Sequence, residues 1–141
     1  MIDIEHRQMY RSNGLIDDLV LHAGTPDYIY FAAQVRLAID NGRLETVSTS
    51  SRFRIEITCA PEQMELFTSL QNQEDVYPTM EEWTQRSIVR VRGSAQVLES
   101  LHGFLLDLPR RGEGYSYISE YAEHLAYSSH SPEWRLHVRL P

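Results

Sequence analysis

The stretch "IVRVRGSAQVLESLHGFLLDL", residues 88–108, changes its hydrophobic period at a single joint. Before the joint, Val89 and Val91 alternate with Arg90 and Arg92, the two-residue period of a strand. After it, apolar side chains fall at 97, 98, 101, 104, 105 and 108, a stripe along one side of a 3.6-residue helix. Gly93 and Ser94 are the only residues between the two patterns, so a strand must feed a helix almost without a loop. Free N–H groups at such a helix start attract anions. One glycine without a G-x-x-x-x-G-K pattern is not a phosphate loop, however, and Ser94 is read as a plain N-cap.

The same two periods recur along the chain. "RFRIEITC" alternates Phe53, Ile55, Ile57 and Cys59 with Arg52, Arg54, Glu56 and Thr58, and "EWRLHVRL" alternates Trp134, Leu136, Val138 and Leu140 with Arg135, His137 and Arg139. Residues 43–50 form a weaker strand. "TPDYIYFAAQVRLAIDNG" predicts a helix, with Thr25 as N-cap, Pro26 in its first turn and Asn41-Gly42 closing it. Its inner face would carry Tyr28, Phe31, Ala32, Val35 and Ile39. "LIDDLVLHAG" has apolar residues at helical spacing (15, 16, 19, 20), with Ser12 or Asn13 to cap it and Gly24 to end it. A further helix is expected from Pro61, carrying Met64, Leu66, Phe67 and Leu70. "NQEDVYP" reads as a loop, and Thr79 with Glu82 as a capping box on "MEEWTQR". "GYSYISEY" suits a strand, while its continuation to 127 also suits a helix; periodicity leaves both open. "SSHSPE" reads as a turn. The two halves have loosely similar element orders, but no residue pattern recurs at a fixed spacing.

These elements predict an α+β domain over residues 1–141, with a mainly antiparallel sheet of about 4–6 strands and helices packed on one face. A length of 141 residues with 42% hydrophobic and 23% charged side chains can bury a core unaided. A single cysteine forms no internal disulfide, and the N-terminus lacks the pattern of a secretory signal, so a cytoplasmic location is expected. The longest apolar run, "YIYFAA", is too short to span a bilayer. A formal charge of −7 argues against general nucleic-acid binding.

No catalytic motif stands out. The six histidines form neither H-x-x-x-H nor H-E-x-x-H; Glu120, Glu123 and His124 lie close in sequence, but this pattern is common on solvated surfaces, and no metal or cofactor is expected. Cys59 is in phase with Ile55 and Ile57, which makes it a core thiol rather than a nucleophile. There is no G-x-S-x-G elbow. The chain has no lysine, and six of its arginines, Arg52, Arg54, Arg90, Arg92, Arg135 and Arg139, flank apolar strand positions. On a common sheet they would gather on the face opposite the core. That face is either a solvated surface paired with acids such as Glu56 or a docking surface for an acidic partner.

From Ile88 onward the chain has a further pattern: a strand running into a G-x-x-x-x-L helix (Gly93 to Leu98), a glycine-containing connector, His124-Leu125, and then S-P-E-x-x-L-x-V from Ser131 to Val138. This segment of about 50 residues resembles the bacterial immunity protein 32 family of polymorphic-toxin systems. His124, Leu125, Trp134, Leu136 and Val138 match as framework positions; residues 1–87 carry no part of the resemblance. It implies a small cytoplasmic, non-enzymatic protein that binds and neutralises a cognate toxin encoded nearby. An acidic inhibitor suits a basic toxin, because opposite potentials steer association. Two docking surfaces are candidates: Tyr77, Glu81, Glu82 and Trp83, aromatics within an acidic rim, and Arg135 with Arg139 on the last strand. The alternative is a small enzyme or ligand-binding domain with a cleft lined by Tyr115, Tyr117, Tyr121 and arginine. Nothing in the residues sets the oligomeric state.

Overall fold

The computed structural model describes residues 1–11, 14–71, 87–118 and 133–139. In chain order these form β1 (Asp3–Arg11), β2 (Gly14–Gly24), α1 (Thr25–Asn41), β3 (Glu45–Ser48), β4 (Arg54–Ala60), β5 (Phe67–Gln71), β6 (Ile88–Ser94), α2 (Ala95–Asp107), a 3-10 turn (Leu108–Arg111), β7 (Gly114–Tyr117) and β8 (Glu133–Arg139). The fold is α+β, as its two periods require. Its strands divide between two four-stranded sheets, ordered β1-β2-β8-β7 and β3-β4-β6-β5. In each sheet a parallel pair, β2 with β8 or β4 with β6, lies between antiparallel neighbours.

The strand pairing contains an internal two-fold relation. β1-β2-α1-β3-β4 and β5-β6-α2-β7-β8 have the same element order, and each half lends its last two strands to the sheet begun by the other. With the two N-caps, Gly24 and Ser94, aligned as equivalent positions, the ladders fall in the same register. Asp3 faces His22 as Phe67 faces Arg92, and Gly24 faces Arg139 as Ser94 faces Ala60. Buried positions correspond: Leu21 to Val91, Tyr28 to Leu98, Phe31 to Leu101, Val35 to Leu105, Ile57 to Leu136 and Val47 to Ile118. The matching positions are apolar but seldom identical, so the likeness is one of burial and register, with no recurring residue motif.

One hydrophobic cluster joins both sheets and both helices. The helices run antiparallel: Arg36 Nη1 of α1 meets Glu99 Oε1 near the start of α2 at 3.3 Å, while Ile29 lies beside Leu106 at the far end. The sheets are linked across the core, where the buried Trp134 indole N–H of β8 donates to Thr68 Oγ1 of β5 at 3.1 Å. At one edge, Ile2 bridges to Thr49 just past β3, and the Ser50 amide donates to the Ile2 carbonyl at 2.8 Å.

Two expected helices are strands. Residues 15–23 lie in β2, because both faces of that strand are covered: Leu19, Leu21 and Ala23 point to the core, and Asp18 and Val20 on the other side are also buried. Double burial erases the alternation that marks a strand and leaves an accidental helical spacing. Asp18 is ion-paired to Arg7 of the neighbouring strand at 2.8 Å. Gly24 therefore ends a strand and caps α1, one residue ahead of Thr25, with the Asp27 carboxylate accepting from the Gly24 amide at 3.0 Å. The expected helix after Pro61 is replaced by β5, whose inward residues are Thr68 and Leu70, with the buried Leu66 just before it. Thr68 is polar and Phe67 is 37% exposed, which inverts the usual pattern.

The strand at 43–50 forms as β3, and Gly42, with φ of 62°, closes α1. The junction at Gly93-Ser94 forms as its two periods predict, with Ser94 Oγ accepting from the Val97 amide at 3.4 Å. Residues 114–117 take the strand alternative. The loop and capping box of 72–86, and the continuation and turn at 119–132, lie outside the described residues.

Candidate protein-binding face

Helix α1 carries large apolar residues on two sides, with Arg36 and Asp40 forming an exposed pair between them. Tyr28, Phe31, Ala32, Val35 and Ala38 face the core. The opposite side presents Pro26, Ile29, Tyr30, Ala33 and Leu37 to solvent, with Ile29 50%, Tyr30 40% and Leu37 41% exposed. Ile29, Ala33 and Leu37 are four residues apart, so they form one continuous ridge. Fully burying an Ile or Leu side chain contributes about 1.5–3 kcal/mol. At roughly half exposure, each of these two still has about 1 kcal/mol to gain from being covered. Beside Ile29 the ridge opens into a notch of about 260 Å³, bounded by Thr25, Leu106, Pro109 and Arg110.

Helix α2 occupies the matching place and has a different surface. Its exposed residues are Ala95, Gln96, Glu99, Ser100 and Gly103, which are polar or small. The two-fold relation that carries Ile29 onto Glu99 and Arg36 onto Leu106 makes the Arg36–Glu99 ion pair the counterpart of the notch. One end of the helix seam is closed by charge, and the other is an open apolar hollow.

The strand arginines do not collect on one face of one sheet. Arg54, Arg90 and Arg92 stand on β4 and β6, Arg135 and Arg139 on β8 in the other sheet, and Arg52 precedes β4 with its guanidinium 4.4 Å from the Phe53 ring. Glu56, itself largely covered, bridges Arg54 at 3.0 Å and Arg90 at 3.4 Å, and Arg92 reaches Glu62 at 3.7 Å. On this sheet each arginine is paired with an acid: Arg90 with Glu56 across the β4–β6 ladder, Arg54 with Glu56 along β4, and Arg92 with Glu62 beyond the end of β4. On β8, Arg135 is half-buried, and the exposed Arg139 donates Nη2 to the His22 carbonyl at 3.1 Å. Tyr77, Glu81, Glu82, Trp83 and Tyr121 lie outside the described residues, and β7 sets Tyr115 and Tyr117 opposite His137 and Arg135. Cys59 is partly buried against the core.

A histidine pair escaped the sequence reading. His22 and His137 sit directly across the parallel β2–β8 ladder, with Nδ1 atoms 3.1 Å apart and rings edge to face. They are 115 residues apart, and His22 falls in the segment whose spacing suggested a helix. Only the pairing of β2 with β8 unites them. Among the described residues no group of three or more His, Cys, Asp and Glu side chains is arranged to hold a metal ion. No described helix is long and apolar enough to cross a membrane.

No family model, no curated protein and no solved structure matches the chain.

Proposed function

We propose that this protein is an immunity-type inhibitor, which binds a toxin encoded nearby and neutralises it stoichiometrically without chemistry of its own. The observation that carries this reading is the outer face of α1. A continuous ridge of Ile29, Ala33 and Leu37 with Tyr30 beside it, ending in an apolar notch, is the surface composition of an interface centre. The C-terminal resemblance supports the same class of protein, and a net charge of −7 favours a basic partner.

The test is co-expression. The neighbouring gene product is produced in a sensitive bacterium with and without this protein, and the complex is purified. Rescue and copurification support the reading. A harmless neighbour that does not copurify contradicts it. Arg135→Ala with Arg139→Ala, and Glu81→Ala with Glu82→Ala, then report whether the β8 arginines or the 81–82 acids add to the α1 ridge.

A further inference from the structure

We infer that His22 and His137 form a two-imidazole binding site for a divalent transition metal ion of borderline softness, such as zinc. Two nitrogen ligands held 2.0–2.1 Å from one ion at cis or tetrahedral angles lie about 2.9–3.4 Å from each other. The Nδ1 atoms are 3.1 Å apart, within that bite. Imidazole nitrogen suits zinc, copper and nickel, and excludes magnesium and calcium as preferred occupants.

The backbone under both rings is held in place. The His137 carbonyl accepts from the Tyr28 hydroxyl at 2.8 Å, and the His22 carbonyl accepts from Arg139 Nη2 at 3.1 Å. Tyr28 is buried, and burial pushes its hydroxyl well above the usual tyrosine range, so it stays a donor. Both histidines are half-buried, so the pair can be reached from solvent. In the backbone register Asp3 pairs with His22 and Tyr115 with His137.

Without metal, the short contact is an Nδ1–H···Nδ1 hydrogen bond in which one ring donates and the other accepts. Metal binding needs both Nδ1 lone pairs. The bridging proton therefore leaves Nδ1, and each neutral ring carries its one proton on Nε2. Two new N–metal bonds replace one hydrogen bond. The ion would bridge β2 of one half to β8 of the other, fastening the strand exchange that defines the fold.

The experiment is a titration of the purified full chain with zinc chloride by calorimetry, paired with long-range ¹H–¹⁵N spectra of the histidine rings. The expected result is saturable binding of one ion per chain. It is lost in His22→Gln and in His137→Gln, retained in His6→Gln and His102→Gln, and accompanied by shifts of the Nδ1 resonances of His22 and His137. Absence of saturable binding, or binding that survives both substitutions, overturns the proposal. The wild-type spectra identify the ligating nitrogens without any substitution: metal-induced shifts confined to Nε2 or to other histidines also overturn it, should a variant fail to fold.

Discussion

Helices α1 and α2 hold equivalent places in the two halves, and their difference separates what the fold needs from what it leaves over. Both bury a stripe of large residues in one core: Tyr28, Phe31 and Val35 on one helix, Leu98, Leu101 and Leu105 on the other. The fold needs no more than this from either. Beyond the stripe, α2 presents polar or small residues, whereas α1 also presents the apolar ridge of Ile29, Ala33 and Leu37. Because α2 shows that a solvated outer face satisfies this architecture, the apolar face of α1 is not explained by folding. A function that selects for it accounts for the asymmetry.

The comparison is tested most severely in the shared core. Phe31→Ala should cost about 3–5 kcal/mol and Leu101→Ala about 2–5 kcal/mol in denaturant unfolding, since both are fully enclosed at equivalent positions. A large loss for one and little for the other would break the equivalence of the halves.

The helix starts differ and make a finer test. Ser94 caps α2 through its own hydroxyl, whereas Gly24 has no side chain and relies on Asp27. Ser94→Ala and Asp27→Ala should each cost about 1 kcal/mol, read from unfolding midpoints. Smaller still is the seam. Replacing Arg36 with Leu and Glu99 with Ile together copies the apolar end of the seam, Leu106 and Ile29, onto the charged end. Stability should change by less than about 1 kcal/mol, the usual worth of an exposed pair.

The smallest effect is a pH slope. His102 on α2 titrates below the usual histidine range because burial, and then the charge of Arg36, disfavour its imidazolium. A histidine pKa lowered by folding means the unfolded chain binds the proton more readily. Its contribution is therefore complete above about pH 6.5, the ordinary histidine value, and declines as pH falls from there towards the lower folded pKa. His102→Gln should flatten the decline in stability below neutral pH.

Much of this architecture is legible where one period dominates. Residues 88–108 declare strand, joint and helix, α1 follows from Pro26 and Gly42, and β4 and β8 alternate cleanly because one side of each is wet. The β2 strand is not legible, since Asp18 and Val20 are buried behind Leu19 and Leu21 and the alternation disappears. β5 is hidden by Thr68, a polar residue turned inward because the Trp134 N–H needs a partner there. Among the site residues, Ile29 and Leu37 lie off the inner face expected for this helix, and the sequence does not mark them as a surface. Their exposure depends on which side of α1 meets the sheets. The histidine pair requires the β2–β8 exchange, a pairing that no local pattern encodes.

The central claim is that the outer face of α1, and not that of α2, binds the toxin. It is tested by measuring the affinity of the neighbouring toxin for three forms of the protein: the natural chain, an Ile29→Asp/Leu37→Asp variant, and a Gln96→Asp/Ser100→Asp variant. All three should keep the same fold by circular dichroism. The account predicts that the α1 variant loses binding and rescue while the α2 variant matches the natural chain. Unchanged affinity in the α1 variant, or equal loss in both, would contradict it.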